Sequence, residues 1–278
     1  MIKISSFSCD VIMQSIKKII DSPVEGFKHY IETGMEYSDI IAAYFDIYPL
    51  DEYMKLYKES GVKPGSLITS YNITASDKEE RDKNINAVKD LLDRIPEYDI
   101  PDIMLSAMTE PTNTRDEVLE QREFLVEGFG ILTDYAKKNG VSIGFENRNS
   151  SARPDSTIED IKYILDNVPD LGFVYDTANL YIADQDPFEM YNAFRDRITH
   201  FHFKDWKHDP NGSVLKNGVA CLSGCALGNG FLPLREIAEL VKKDNFESRA
   251  SIEINKYSGI VGIEEIDDSI KFLKELFS

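Results

Sequence analysis

Short apolar runs recur along this chain at intervals of about 25 to 40 residues, and amphipathic stretches fill the intervals. Runs near 2–7, 36–42, 65–70, 102–107, 141–146, 171–176, 197–203 and 249–254 read as strands. Most are short and nearly continuous in apolar residues, as in Val141-Ser-Ile-Gly-Phe145. That pattern is expected where helices cover one side of a sheet and side chains fill the other. Helical spacing predicts helices near 23–33, 50–60, 77–95, 115–139, 156–167, 186–195, 232–243 and 263–277. In 115–139, Val118, Leu125, Phe129, Leu132 and Ala136 repeat at three- and four-residue steps, with one seven-residue step, and form an apolar stripe. Lys137 and Lys138 fall in its last turn, and Asn139-Gly140 signals its end. The last helix sets Ile266, Ile270, Leu273 and Phe277 on one face. Pro233 suits the first position of the helix that carries Ile237, Leu240 and Val241.

Strand and helix candidates alternate, strand first, eight of each. This predicts an α/β protein, a (β/α)8 TIM barrel spanning residues 1–278 as a single domain. No linker rich in Pro, Gly and Ser interrupts the series. A doubly wound open sheet would alternate in the same way, but no Gly-rich phosphate fingerprint follows the first strand. In a barrel the C-terminal ends of the strands converge on one mouth, where barrel enzymes keep their chemistry.

Four polar residues stand at or just past the ends of predicted strands five to eight: Glu146, Asp176, His202 and Glu253. Three carboxylates and an imidazole suit the first shell of one divalent cation. Each has a plainer explanation alone. Glu146 could be an exposed loop residue, and Asp176 could cap the next turn. In HFHFKD, His200, His202 and Lys204 alternate onto one side while Phe201 and Phe203 take the other. Such polar groups are costly toward a barrel interior unless used; His200 is the one expected to be a satisfied core residue. Glu253 is charged within an apolar final strand, and such a group is rarely buried unless paired. Their equivalent positions on successive strands point to one shared site.

Composition narrows the field. A hydrophobic fraction of 42% with 29% charged residues is that of a globular chain, and no run of 18 apolar residues exists to span a membrane. The formal charge of −18 repels nucleic acid and anionic membranes. The opening MIKISSFS reads as a first strand rather than a secretory leader. Three cysteines suit a reducing cytoplasm. Cys221 and Cys225, with no second pair nearby, are expected as ordinary thiols in a loop rather than a zinc knuckle.

The segments GFEN (144–147), DTAN (176–179), HFHFKD (200–205), ALGNGFLPL (226–234) and SIEIN (251–255) come in an order that resembles the xylose isomerase-like TIM barrel superfamily of sugar isomerases and epimerases. That superfamily also includes apurinic-site endonucleases and inosose dehydratases. The resemblance implies one divalent metal held by Glu146, Asp176, His202 and Glu253, with Glu146 and Glu253 also the catalytic acid/base pair. An oxygen-rich set favours manganese or magnesium, with cobalt or zinc also compatible. The implied reaction is isomerisation or epimerisation of a small sugar, in carbohydrate metabolism, by proton transfer through an enediolate. Asn147, Asn179 and Lys204 are the expected substrate contacts, with Arg148 and Trp206 nearby; Lys204 could instead form a rim ion pair with Asp205. Many relatives have DTGH where this chain has DTAN, so Asn179 replaces a histidine and leaves the substrate open. The DNA-repair members need a histidine-rich cluster of three zincs, whereas this chain has only four histidines, at 29, 200, 202 and 208. An inosose dehydratase-like lyase and a non-catalytic sugar-binding barrel are the alternatives. A homo-oligomer is compatible with either.

Overall fold

The computed structural model describes residues 2–109, 112, 114–150, 152–216, 218–256 and 260–278. Its first part runs β1 (Lys3–Phe7), α1 (Ser8–Ile16), α2 (Pro23–Thr33), β2 (Tyr37–Ile41), α3 (Leu50–Ser60), β3 (Lys63–Tyr71), α4 (Lys78–Arg94) and β4 (Asp102–Ala107). Next come α5 (Arg115–Lys138), β5 (Ser142–Glu146), α6 (Ile158–Asn167), β6 (Gly172–Asp176), α7 (Asn179–Ile182), α8 (Pro187–Phe194) and β7 (Ile198–Phe203). The last part holds β8 (Asp205–His208), β9 (Val214–Lys216), β10 (Val219–Cys225), α9 (Leu234–Lys243), β11 (Arg249–Ile252) and α10 (Ile263–Phe277).

Eight strands close a barrel in the order β1-β11-β7-β6-β5-β4-β3-β2, with parallel pairing, which is the (β/α)8 architecture. Every predicted barrel strand is present. Two features depart from the predicted alternation. The short helix α1 follows β1 directly, and the one-turn α7 follows β6 after Thr177 and Ala178. A three-stranded antiparallel sheet, ordered β8-β10-β9, is inserted after β7. Cys221 and Cys225 therefore lie in a strand, β10, and not in a loop; both are free thiols. Pro233 stands one position before α9, at its N-cap.

Two compact units are separable by contact density. Met1–Gly65, Asp176–Ala178 and His200–Ser278 form one. In it Phe27 packs edge-on to Tyr57, and the buried Gln14 donates to the Val261 carbonyl and accepts from the Tyr30 hydroxyl. The other comprises Ser66–Tyr175 and Asn179–Thr199. There Phe129, Phe145, Phe173 and Phe194 make successive ring contacts at 5.2, 5.8 and 5.3 Å. The predicted stripe on α5 is buried throughout: Val118, Leu125, Phe129, Leu132 and Ala136.

Local chemistry sets the helix limits. Ser22 accepts from the Glu25 N–H and Pro23 opens α2, while Gly34, at φ 126°, ends it. Thr114 and Glu117 form a capping box on α5. Among the described residues no helix is long and apolar enough to cross a membrane.

Candidate metal centre

Strand β7 supplies the polar face from which the site grows. Phe201 packs on Phe246 and Phe203 on Phe277, with centroids 5.3 and 5.8 Å apart, so the aromatic face looks outward. His200, His202 and Lys204 lie on the other face, and all three are buried. His202 Nδ1 is 3.4 Å from Glu253 Oε2, and its ring meets Phe7 edge-on. Lys204 Nζ is 2.7 Å from Glu253 Oε1 and 3.1 Å from Asp176 Oδ2. Thr177 fixes this strand end: its N–H donates to the His202 carbonyl, and its hydroxyl donates to the Lys204 carbonyl while accepting from the Lys204 N–H.

Asp176 ends β6 fully buried. One carboxylate oxygen accepts from the Ala178 N–H at 2.8 Å, so the turn-capping role is real. The other faces Lys204, so capping and site geometry coexist in one side chain. Glu146 ends β5, 7% exposed, with Arg148 Nη1 3.1 Å from its Oε1. Arg148 also donates to Ser106 Oγ, and its own N–H donates to the Asp155 carbonyl. Glu253 follows β11, its N–H bonded to the Phe203 carbonyl. Burial pushes its carboxyl up, but the Lys204 charge and the His202 contact outweigh burial and hold it at about 2.

Glu146, Asp176, His202 and Glu253 each offer one ligand atom, all within 4.8 Å of one another. Three carboxylates here meet two cationic side chains, Arg148 and Lys204. The group therefore keeps a net negative charge, which a divalent cation would offset. Carboxylate and imidazole donors are of the right chemistry for such an ion, so the residues present fit a single divalent metal.

Neighbouring residues take varied positions. The Asn179 side-chain N–H donates to the Asn147 carbonyl at 3.0 Å, and both residues are buried, so Asn179 braces the turn after β5. Trp206 is 1% exposed and donates its Nε1–H to the Ala178 carbonyl, which makes it a packing residue rather than an open sugar wall. Asp205 is not the ion-pair partner of Lys204 foreseen as one option. It accepts instead from the backbone N–H groups of Trp206, Gly228, Gly230 and Leu232, at 2.9, 3.1, 3.0 and 3.2 Å. A Cβ at Gly230 would stand 2.1 Å from Asp205 Oδ1, so only glycine lets that loop close on the carboxylate. Asp205→Ala would leave these four backbone donors, one buried and three part-buried, without their acceptor. We expect it to lower unfolding free energy by about 3 kcal/mol in urea titration.

One residue near Glu253 escaped the sequence patterns. Asp10, in the first turn of α1, has its carboxyl lifted to about 7 by burial and by the charges of Glu253 and Glu265. An acid in the first turn of a helix is too common a feature to have marked it.

The family model described as xylose isomerase-like TIM barrel matches residues 27–276. Inosose dehydratase of Lacticaseibacillus casei is 22% identical over 140 residues, covering 48% of this chain and 47% of that enzyme. The chain spans about half the length of the curated relatives it matches. Among solved structures, an IolI protein with a binding zinc atom aligns at a TM-score of 0.77 and 16% identity, covering 100% of this chain and 98% of that protein. D-Psicose 3-epimerase in the presence of D-fructose aligns at 0.74 and 15% identity, covering 100% of each. At such identities the two structural likenesses establish the fold.

Proposed function

Because the chain belongs to the xylose isomerase-like TIM barrel family, we propose that it is a divalent-metal-dependent isomerase or epimerase of a small sugar, a single-domain enzyme of the cytoplasm. The observation that carries this reading is the cluster of Glu146, Asp176, His202 and Glu253, with ligand atoms within 4.8 Å of one another. In this reading the four hold one cation, and three carboxylates with one imidazole favour manganese or magnesium. When bound, such a cation polarises a substrate carbonyl and acidifies the adjacent C–H.

The chain's own residues then move the proton. One of the pair Glu146 and Glu253 takes it from the carbon beside the carbonyl, and the C–H electron pair becomes the enediolate double bond. The other returns a proton to the opposite face of that carbon, which epimerises it. Return to the neighbouring carbon isomerises instead. Arg148 holds Glu146 from one side, and Lys204 and His202 hold Glu253. Both carboxylates are thereby fixed in direction before substrate arrives. Lys204, Asn147 and Asn179 are the proposed contacts to sugar oxygens.

A second reading is favoured by the likeness to inosose dehydratase. The same proton removal on a cyclic polyol ketone, followed by C–O cleavage at the next carbon, expels the hydroxyl, which leaves as water after protonation by the partner glutamate. Solvent exchange separates the two. Neutral ketohexoses and an inosose are incubated with the manganese-loaded protein in D₂O. Deuterium at the carbon beside the carbonyl of recovered sugar supports the epimerase or isomerase. Stoichiometric water loss from the inosose supports the lyase. Neither outcome across the panel would reduce the protein to a sugar-binding barrel.

A further inference from the structure

β4 and β5 run side by side, with Asp102 paired to Ser142 and Met104 to Gly144. Continuing that register sets Ser106 across from Glu146 on the same face of the two strands. Arg148 joins them: its Nη1 is 3.1 Å from Glu146 Oε1 and also donates to Ser106 Oγ. Ser106 is buried, and neither the strand pairing nor the packing of β4 requires a hydroxyl at that position.

A buried carboxylate approaches Arg148 as well. Asp155, 1% exposed, lies shortly before α6, and its carbonyl accepts the Arg148 N–H at 2.9 Å. Its Oδ1 is 3.3 Å from Arg153 Nε, and Arg153 Nη2 donates to the Ala107 carbonyl at the end of β4, at 2.6 Å. Burial raises the Asp155 carboxyl, while the charges of Arg153 and Arg148 act against that rise, so it feels both guanidiniums. The Arg148 charge is thus divided between two carboxylates, Glu146 and Asp155, and its Nη1 is divided between Glu146 and a hydroxyl. This division matters for Glu146 as a ligand. A guanidinium given over wholly to one carboxylate makes a strong charge-assisted pair, and such a pair competes with a cation for the same oxygens.

We propose that Ser106 and Asp155 are positioning residues that draw part of Arg148 away from Glu146 and so keep Glu146 available to the cation. The proposal rests on the reading of Glu146 as a metal ligand, and it extends the site to two residues that touch neither the cation nor the substrate. Asp155→Asn keeps the shape and an acceptor for Arg153 but removes the charge that shares Arg148. Ser106→Ala leaves every charge in place but removes the second acceptor of Nη1. Both changes turn Arg148 more fully onto Glu146, and both should therefore weaken metal binding.

The test measures manganese affinity of the full chain by calorimetry, in the native and the Arg148→Gln backgrounds. Asp155→Asn is expected to lower the affinity by about tenfold, the scale on which outer partners of a metal site act, and Ser106→Ala by a smaller factor. Without the guanidinium there is nothing to divide, so in Arg148→Gln both effects should shrink to within about twofold, as a double-mutant cycle reads coupling. Ser106→Ala carries the same test alone if Asp155→Asn does not fold. Unchanged affinity in both variants overturns the proposal, including the case where urea titration shows lost stability, because the two residues would then only anchor the chain. An equal fall in both backgrounds also overturns it, because the effect would not run through Arg148. Failure of the wild type to bind manganese would sink the metal reading itself and the proposal with it, whereas normal wild-type binding with indifferent variants would sink the proposal alone.

Discussion

Glu253→Gln is expected to lower deuterium exchange into a ketose substrate by about 10²–10⁴-fold, the usual worth of a positioned acid or base. The substitution keeps the volume, and its amide oxygen can still accept from Lys204, 2.7 Å away in the native protein. What it removes is the anion, and with it both the proton acceptor and one charge from the cation's donor set. Metal affinity should fall as well, by more than the roughly 10- to 100-fold that outer partners of a metal site command. Both readouts are needed. Lost exchange at full metal occupancy, by elemental analysis, would assign Glu253 to proton transfer alone. Exchange retained within a factor of a few would remove Glu253 from the reaction, and unchanged metal content would remove it from the donor set.

The barrel was legible because its strands are short apolar runs enclosed on both faces, and such runs stand out from amphipathic helices. β1, β2 and β5 begin within a residue of the runs that predict them. The inserted sheet was not legible for the opposite reason. Val219 and Leu215 are 61% and 56% exposed, so β9 and the first half of β10 carry no core pattern. The dipeptide Asn217-Gly218 in VLKNGV is a hairpin signal that could have revealed part of it. Helix α1 lacked a side-chain cap at Phe7, and so lacked the usual mark of a helix start.

The four candidate ligands were legible for a related reason. A polar residue ending a buried strand is an anomaly that one sequence can display. What the sequence could not display is which charges meet. Lys204 and Asp205 are adjacent, yet one turns to Glu253 and Asp176 while the other takes backbone donors from 228, 230 and 232. That division depends on a loop some twenty residues later in the chain, and spacing alone does not encode it.

The inward turn of Lys204 leads to the second large effect. Its side chain is 2% exposed and its ammonium lies against two carboxylates of the proposed donor set, so Lys204→Met leaves Asp176 and Glu253 without their shared cationic partner. Breaking a buried ion pair from one side costs about 3–5 kcal/mol, and metal-free protein should lose stability on that scale in urea titration. A divalent cation supplies the missing positive charge to the same oxygens, so the manganese-loaded variant should lose much less. The stabilisation that manganese confers should therefore be larger in the variant than in the wild type. Acid unfolding gives an independent check on the metal-free form. Glu253 is held at about 2 against an ordinary value of 4.5, so its contribution is full above about 4.5 and disappears as pH falls toward 2. Without Lys204 the carboxyl is held down less, its contribution at neutral pH shrinks, and stability should change less steeply between those two values. Equal losses with and without manganese would mean that Lys204 and the cation do not act on the same carboxylates, and the proposed donor set would have to be redrawn around other residues.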